Sequence, residues 1–435
     1  MTKNIFWELE IPPKIHDANL TIQNEGCFIQ LTDTHIDDQY RLGSCTNCGG
    51  ILCCRESNGN CSNENSAGPW GDYTCDMPER TFESALLEAS EKHDTKFWLF
   101  TGDFCAHDIW EINRDDVMSD IGRTWELLLK YAKGKVYPVI GNHESPVINC
   151  FPPPEIQNEL SIQWLYEYMS DLSKDILSPD SLITLRRAGN YKEFLDENTV
   201  LLVVNSNYCA RLNFWLFYDP IDAGSQLSWL IDELLAAELN NHKVHIAMHI
   251  PPDNRECIEA WTYNYIRIIE RFQQLIVGQY FGHTHFDEIR LIYSLVDEKT
   301  PIGVQYITPA QTQFSHTNSA YRKFCYNNGQ LSDIFTYYFD LFENNLLPNS
   351  RIMWKKEYET VKDYELMDLS PTSWNHFLQQ MHDNTTKRQQ YLLHYSSISR
   401  HENFQNISKE KEAKILNDIP IKKPFENPPN SIETF

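Results

Sequence analysis

The sequence predicts an α/β fold whose strands each end in a cluster of metal-binding residue types. Two observations predict it. Five short apolar runs, rich in β-branched and aromatic residues, have the length and composition of buried strands. Each is followed at once by histidine, aspartate or asparagine. Residues 27–32 precede Asp33-Thr34-His35, residues 96–101 precede Gly102-Asp103, and residues 136–140 precede Gly141-Asn142-His143-Glu144. Residues 244–248 precede His249, and residues 275–281 precede Gly282-His283-Thr284-His285. Open α/β sheets build their sites outside the carboxyl ends of the strands. Five clusters so placed read as one centre, and glycines at 102, 141 and 282 allow sharp turns there.

The remaining elements follow in order. Residues 1–26 read as an extended lead-in. Residues 43–76 are rich in Cys, Gly, Asn and Ser and lack apolar periodicity, so they read as a stapled loop near Asp33 and His35, walling one side of the site. Helical spacing runs over 78–93 and over 116–133, where Val117, Ile121, Trp125 and Leu128 share one face. Residues 155–178 read as helix after Pro152–Pro154, and 225–239 as helix capped by Ser225. Residues 257–274 read as a helix packed on the sheet, with its aromatics Trp261, Tyr263 and Tyr265 rimming a cleft as the lesser alternative. Strands are expected at 288–296, 303–308 and 333–341. His316, Asn318 and Tyr321 fall in the loop between the last two, read as surface loop in preference to substrate contact. Residues 371–395 read as one helix whose Trp374, Phe377, Leu378 and Met381 dock on the core, with a membrane-interface patch as the weaker reading. Residues 418–435, with four prolines, read as a tail.

The clusters specify chemistry. Imidazole, carboxylate and one amide oxygen suit Zn, Fe or Mn. A metal pair roughly 3.5–4 Å apart makes a hydroxide and clamps a phosphoryl group during in-line displacement. Asp33, His35 and His285 are assigned to one metal and Asn142, His249 and His283 to the other. Asp103, with two oxygens to share, bridges them. His143 is the expected general acid for the leaving oxygen, His107 a second candidate or a phosphate contact, and Glu144 is expected to orient His143.

At these residues the chain resembles the calcineurin-like metallophosphoesterases, in particular the acid sphingomyelinase and acid sphingomyelinase-like phosphodiesterase family. The segments Gly102-Asp103-Phe104-Cys105-Ala106-His107-Asp108-Ile109-Trp110 and Gly141 to Pro154 carry the likeness, with Asp219-Pro220, residues 226–230 and residues 282–288. It covers roughly residues 27–400. The resemblance implies a four-layer α/β/β/α metallophosphoesterase sandwich holding two Zn²⁺, although imidazole-rich oxygen sites also take Mn or Fe. We expect the catalytic domain over 27–366, a small helical C-terminal subdomain over 367–417 and a tail over 418–435. The resemblance also implies Cys48–Cys53, Cys54–Cys75 and Cys209–Cys257 disulfides. Cys45 and Cys61 can form a fourth, Cys27 and Cys105 read as buried thiols, and Cys150 and Cys325 are unassigned. Residues 104–110 lack the arginine that protein phosphatases of this fold use to clamp phosphate. Only 32 residues precede Asp33, too few for a saposin domain, which favours the saposin-less relatives that act on nucleotides and other soluble phosphodiesters.

Composition sets bounds. With 37 basic and 61 acidic side chains the net charge is −24, which disfavours long nucleic acid as a partner. The 15 histidines would reduce this charge on protonation in an acidic compartment. Twelve cysteines and four sequons, at Asn19, Asn60, Asn384 and Asn406, point to disulfides, glycosylation and a secreted or lysosome-like location. No apolar run is long enough to span a membrane, and the expectation is that a leader has been removed. The sequence thus predicts a secreted, monomeric zinc phosphodiesterase acting on nucleotides and related small soluble phosphodiesters or phosphoanhydrides. The alternative is a sphingomyelin phosphodiesterase releasing phosphocholine and ceramide at a membrane surface. A second alternative is an inactive secreted binding protein on the same fold.

Overall fold

The computed structural model describes residues 6–15, 24–347, 350–421 and 423–424. In chain order the strands are β1 (Glu25–Leu31), β2 (Phe97–Phe100), β3 (Lys135–Pro138), β4 (Tyr191–Asp196), β5 (Thr199–Val203) and β6 (Lys243–Ala247). They continue as β7 (Ile276–Phe281), β8 (Glu288–Tyr293), β9 (Pro301–Ile307), β10 (Ala320–Asn327), β11 (Gln330–Tyr338) and β12 (Lys355–Glu359). The helices are α1 (Glu79–Lys92), α2 (Arg114–Tyr131), α3 (Gln163–Leu172), α4 (Pro179–Ala188), α5 (Gln226–Asn240) and α6 (Glu259–Phe272). After them come α7 (Leu341–Asn345), α8 (Thr360–Asp363), α9 (Pro371–Asp383), α10 (Thr385–Tyr395), α11 (Glu402–Gln405) and α12 (Lys409–Asn417).

Two mixed six-stranded sheets form, ordered β12-β11-β10-β1-β2-β3 and β4-β5-β6-β7-β9-β8. Strands β1, β2 and β3 run parallel in the first, and β5, β6, β7 and β9 in the second. All residues of β2 and β5 are buried, as expected for strands covered on both faces. The sheets face each other through aromatics: Tyr280 of β7 meets Phe28 of β1 and Phe324 of β10 edge-on, at 5.1 and 5.0 Å. Outside the first sheet, Phe82 of α1 packs on Phe100 of β2. Outside the second, α5 and α6 bury Leu230, Leu234, Trp261 and Ile268 against Val200 and Ile246. The order is helix, sheet, sheet, helix, and it brings the carboxyl ends of β1, β2, β3, β6 and β7 to one edge.

Several expectations need correction. The 155–178 helix shrinks to α3, and α4 starts separately at Ser178, whose hydroxyl caps the Ser181 N–H. Ser225 does not cap α5. Its backbone is left-handed, and the Asp222 carboxylate takes the Leu227 and Ser228 N–H groups instead. The 371–395 segment breaks at Asn384, which caps α10 through the Thr386 and Lys387 N–H groups. Trp374, Phe377 and Met381 are buried, with Trp374 Nε1 donating to the Tyr306 hydroxyl at 3.2 Å, so that stripe offers nothing to a membrane. The expected loop before 333 contains β10, in which Tyr321 is buried. Trp261 and Tyr265 lie in the core and do not rim a cleft. Strands β4, β5 and β12 lie where no strand was expected.

Five disulfides are present: Cys27–Cys325, Cys45–Cys61, Cys48–Cys53, Cys54–Cys75 and Cys209–Cys257. Cys27 is therefore not a thiol. It sits opposite Cys325 across the β1–β10 pair, a pairing hidden while β10 read as loop. Cys105 is a buried thiol and Cys150 a half-buried one. Asn60, Asn384 and Asn406 are exposed, and Asn19 lies outside the described residues. Among the described residues, no helix is long and apolar enough to cross a membrane.

Candidate metal centre

Backbone hydrogen bonds tie four of the five loops together in pairs. Asp33 N–H donates to the Gly102 carbonyl at 2.9 Å, Thr34 N–H to that of Asp103 at 3.0 Å, and Gly282 N–H to that of His249 at 3.0 Å. The approach is close: a Cβ on Gly282 would lie 2.0 Å from the Thr32 hydroxyl oxygen. Asp33, His35, Asp103, His283 and His285 all have left-handed backbones, with φ of 50°, 43°, 60°, 74° and 69°. Such residues cost about 1–3 kcal/mol each and persist where their surroundings hold them.

The side chains converge. His35 Nε2 lies 3.9 Å from Asp33 and 3.5 Å from Asp103, and His285 Nε2 lies 3.5 Å from Asp33. On the other side, His249 Nε2 lies 3.1 Å from Asp103 Oδ2 and 2.9 Å from Asn142 Oδ1. His283 Nδ1 is also 2.9 Å from Asn142 Oδ1. Burial opposes ionisation of Asp103, yet His249, His143 and His35 around it hold it well below the usual carboxylate range.

The donor set fits two cations. His35 Nδ1 donates to the Cys105 carbonyl at 2.6 Å, because a carbonyl can only accept. Burial, with His107 and His143 adding to it, pushes the His35 pKa far down, so the ring is neutral and its Nε2 is a bare lone pair. That atom is buried without a partner and faces two carboxylates. Acceptors turned on acceptors repel unless a cation stands between them. His249 Nδ1 lies 2.7 Å from the Thr101 carbonyl and His285 Nδ1 2.8 Å from the Ser315 hydroxyl. Such outer partners fix a ligating imidazole's tautomer.

Beside this centre stand two further histidines. His107 stacks on His35 at 3.9 Å, and His143 meets both rings at 4.7 Å. His107 Nδ1 lies 2.8 Å from Asp76 Oδ1, and the His107 backbone N–H donates to Asp76 Oδ2 at 2.6 Å. Burial works against the His107 imidazolium, but Asp76 outweighs it and the pKa is raised. Burial instead pushes His143 down to about 3. Glu144 makes no bond to His143 among the described residues. Its oxygens accept the N–H groups of Gly141, Asp103 and Phe104, tying two ligand loops together.

Some of the residues around the centre had no sequence signal. Asp76 and Glu256 each neighbour a cysteine in a loop, and Glu256 sits 3.2 Å from His283 Nε2. Phe314 packs on His107 at 4.6 Å. Asn318, by contrast, spends its amide on Tyr73, Leu341, Ser397 and Ile398, and His316 stacks on His401. The cysteine loop is joined to the site by Arg55, which pairs with Asp37 and Asp108.

A centre of two histidine–carboxylate groups sharing Asp103, at the edge of a four-layer sandwich, is the dimetal site of a metallophosphoesterase. The calcineurin-like phosphoesterase family matches residues 28–287, and the acid sphingomyelin phosphodiesterase C-terminal region matches residues 300–415. The chain belongs to the acid sphingomyelinase-like family. It is 37% identical over 376 residues to the sphingomyelin phosphodiesterase of Bos taurus, covering 84% of this chain and 59% of that protein. It is 30% identical over 403 residues to sphingomyelin phosphodiesterase 1 of Caenorhabditis elegans, covering 88% and 71%. To the cyclic GMP-AMP phosphodiesterase SMPDL3A of Homo sapiens it is 29% identical over 374 residues, covering 80% and 77%. The chain thus spans less than two thirds of the bovine relative's length.

Proposed function

We propose that this chain is a two-metal phosphodiesterase that cleaves sphingomyelin-type choline phosphodiesters. The observation that carries the reaction class is the His35 Nε2 lone pair, buried without a partner and facing Asp33 and Asp103, which a cation between them would stabilise. Two divalent ions there would supply Lewis-acid activation of water and of the phosphoryl group. Asp33, His35 and His285 would hold one, Asn142, His249 and His283 the other, with Asp103 between them. Family likeness favours zinc.

The proton for the leaving oxygen comes from His107, with His143 beside it. Asp76 fixes the His107 ring and stabilises its charged form, as a general acid requires. His143 lacks such a partner. Its backbone N–H donates to Asp103 Oδ1 at 3.0 Å and so helps position the shared carboxylate.

The relatives reverse the expected order of substrates. A sphingomyelin phosphodiesterase shares 37% of aligned residues and the cyclic dinucleotide enzyme 29%. We therefore place choline phospholipid first and keep nucleotides as the second reading. Five disulfides and three exposed sequons support a secretory route and an acidic or extracellular workplace. Phosphocholine release from sphingomyelin, measured with and without zinc beside hydrolysis of cyclic GMP-AMP, tests the reading. Cleavage of the nucleotide alone would overturn it in favour of the second.

A further inference from the structure

The loops that carry Asn142 and Glu256 also support a run of exposed apolar side chains. Leu212, Phe214, Phe217 and Tyr218 are each at least 63% exposed, and Val147 of the Asn142 loop is 66% exposed. Phe214 and Phe217 stack at 6.0 Å on a short 3-10 turn, Phe214–Phe217. From Leu212 to Tyr218 there is no charged residue, in a chain of net charge −24.

This segment is rigidly fixed. The buried Asn213 side chain donates to the carbonyls of Phe151 (2.9 Å) and Asn207 (3.1 Å). Asn207 in turn donates to the carbonyl of Gly141, next to Asn142, at 3.1 Å. Trp215 Nε1 reaches Cys150 Sγ at 3.2 Å. On its other flank, Arg211 N–H donates to the Glu256 carbonyl at 2.8 Å, and the Cys209–Cys257 disulfide closes the base. Buried polar anchors thus hold exposed phenyl rings on the side of the metal centre formed by Asn142 and His283. Contiguous exposed apolar groups of this kind mark an interaction surface.

We propose that residues 212–218, with Val147, form a docking surface for a neutral, zwitterionic choline-lipid membrane. The occupant follows from charge and position. The apolar Phe214 and Phe217 rings suit the acyl boundary, and Tyr218 beside them has the polar end favoured at the headgroups. An anionic membrane would repel a chain of this charge. Docking through a surface tied to both Asn142 and Glu256 presents the centre to headgroups. The inference rests on the lipid-substrate reading above.

The test is flotation of the zinc-loaded chain with phosphatidylcholine–sphingomyelin vesicles, comparing wild type, the Phe214→Ser/Phe217→Ser double variant and Val296→Ser. Val296 is exposed on the β8–β9 connection, remote from the segment in sequence. Thermal melting checks that each variant is folded. The bound fraction should fall at least about tenfold in the double variant, from two lost phenyl insertions, and hold in Val296→Ser. The ratio of vesicle sphingomyelin turnover to soluble bis(4-nitrophenyl) phosphate turnover should fall in parallel. Unchanged binding by a folded double variant, or no wild-type binding despite turnover of the soluble ester, overturns the docking surface. Binding that depends on the two phenylalanines without sphingomyelin cleavage supports the surface and counts against the substrate reading.

Discussion

Asp103 receives imidazoles from both sheets on one oxygen: His35, after β1, at 3.5 Å and His249, after β6, at 3.1 Å. Removing its charge should release metal and not merely slow chemistry. Asp103→Asn is expected to bind fewer metal ions per chain by elemental analysis and to lose at least about a hundredfold in turnover, the upper range for losing even a group that supports a ligand. Asp76 is different, because it touches His107 and no metal ligand. Asp76→Asn should keep its metal and lose up to about 100-fold in kcat, the low end of what a positioned general acid contributes. Since Asp76 raises the His107 pKa, the alkaline limb of the kcat profile should also move to lower pH. An unmoved limb would remove His107 from the acid's role. The residues that converge on Asp103 were legible in the sequence because each cluster directly follows an apolar run. Asp76 was not, because it lies in a loop with no period, and the Thr101 and Cys105 carbonyls that orient His249 and His35 are backbone groups, which carry no residue signature.

Elements failed to show in the sequence where burial is polar. Strand β10 reads Ala-Tyr-Arg-Lys-Phe-Cys-Tyr-Asn, which looks solvent-facing until Arg322 is seen buried against Asp287 and Tyr358. Periodicity cannot reveal an ion pair between distant segments, and with β10 hidden the Cys27–Cys325 bond was hidden too. Nearby, the Glu357 side chain on β12 is fully buried, with one oxygen 2.9 Å from His394 Nδ1 on α10 and the other unpartnered. Burial pushes its pKa up to about 7 from 4.5. The folded state therefore holds this proton more tightly than the unfolded chain. Its contribution is complete below about pH 4.5 and is lost as pH rises through about 7. Glu357→Gln should match wild type in urea unfolding at pH 5 and exceed it by about 1–3 kcal/mol at pH 7.5. Equal destabilisation at both pH values would show that the hydrogen bond to His394 matters more than the charge.

At the scale of the whole molecule the two matched family regions are not separable units. The first, residues 28–287, contains β1, β2 and β3, but β10, β11 and β12 of the same sheet lie beyond residue 300. The inter-sheet core likewise joins Phe28 to Phe324 and Trp374. Residues 28–287 expressed alone should therefore fail to melt cooperatively, as calorimetry would show, whereas the full chain gives a heat-absorption peak. If this centre hydrolyses a choline phosphodiester with two bound metals, its activity must follow metal content. The most direct measurement is phosphocholine release from sphingomyelin at pH 5 by chain stripped with a chelator and then titrated with zinc. Stripped chain should give no release, with full recovery as two zinc ions bind. Release that survives stripping, or no release with two zinc ions bound, would contradict it.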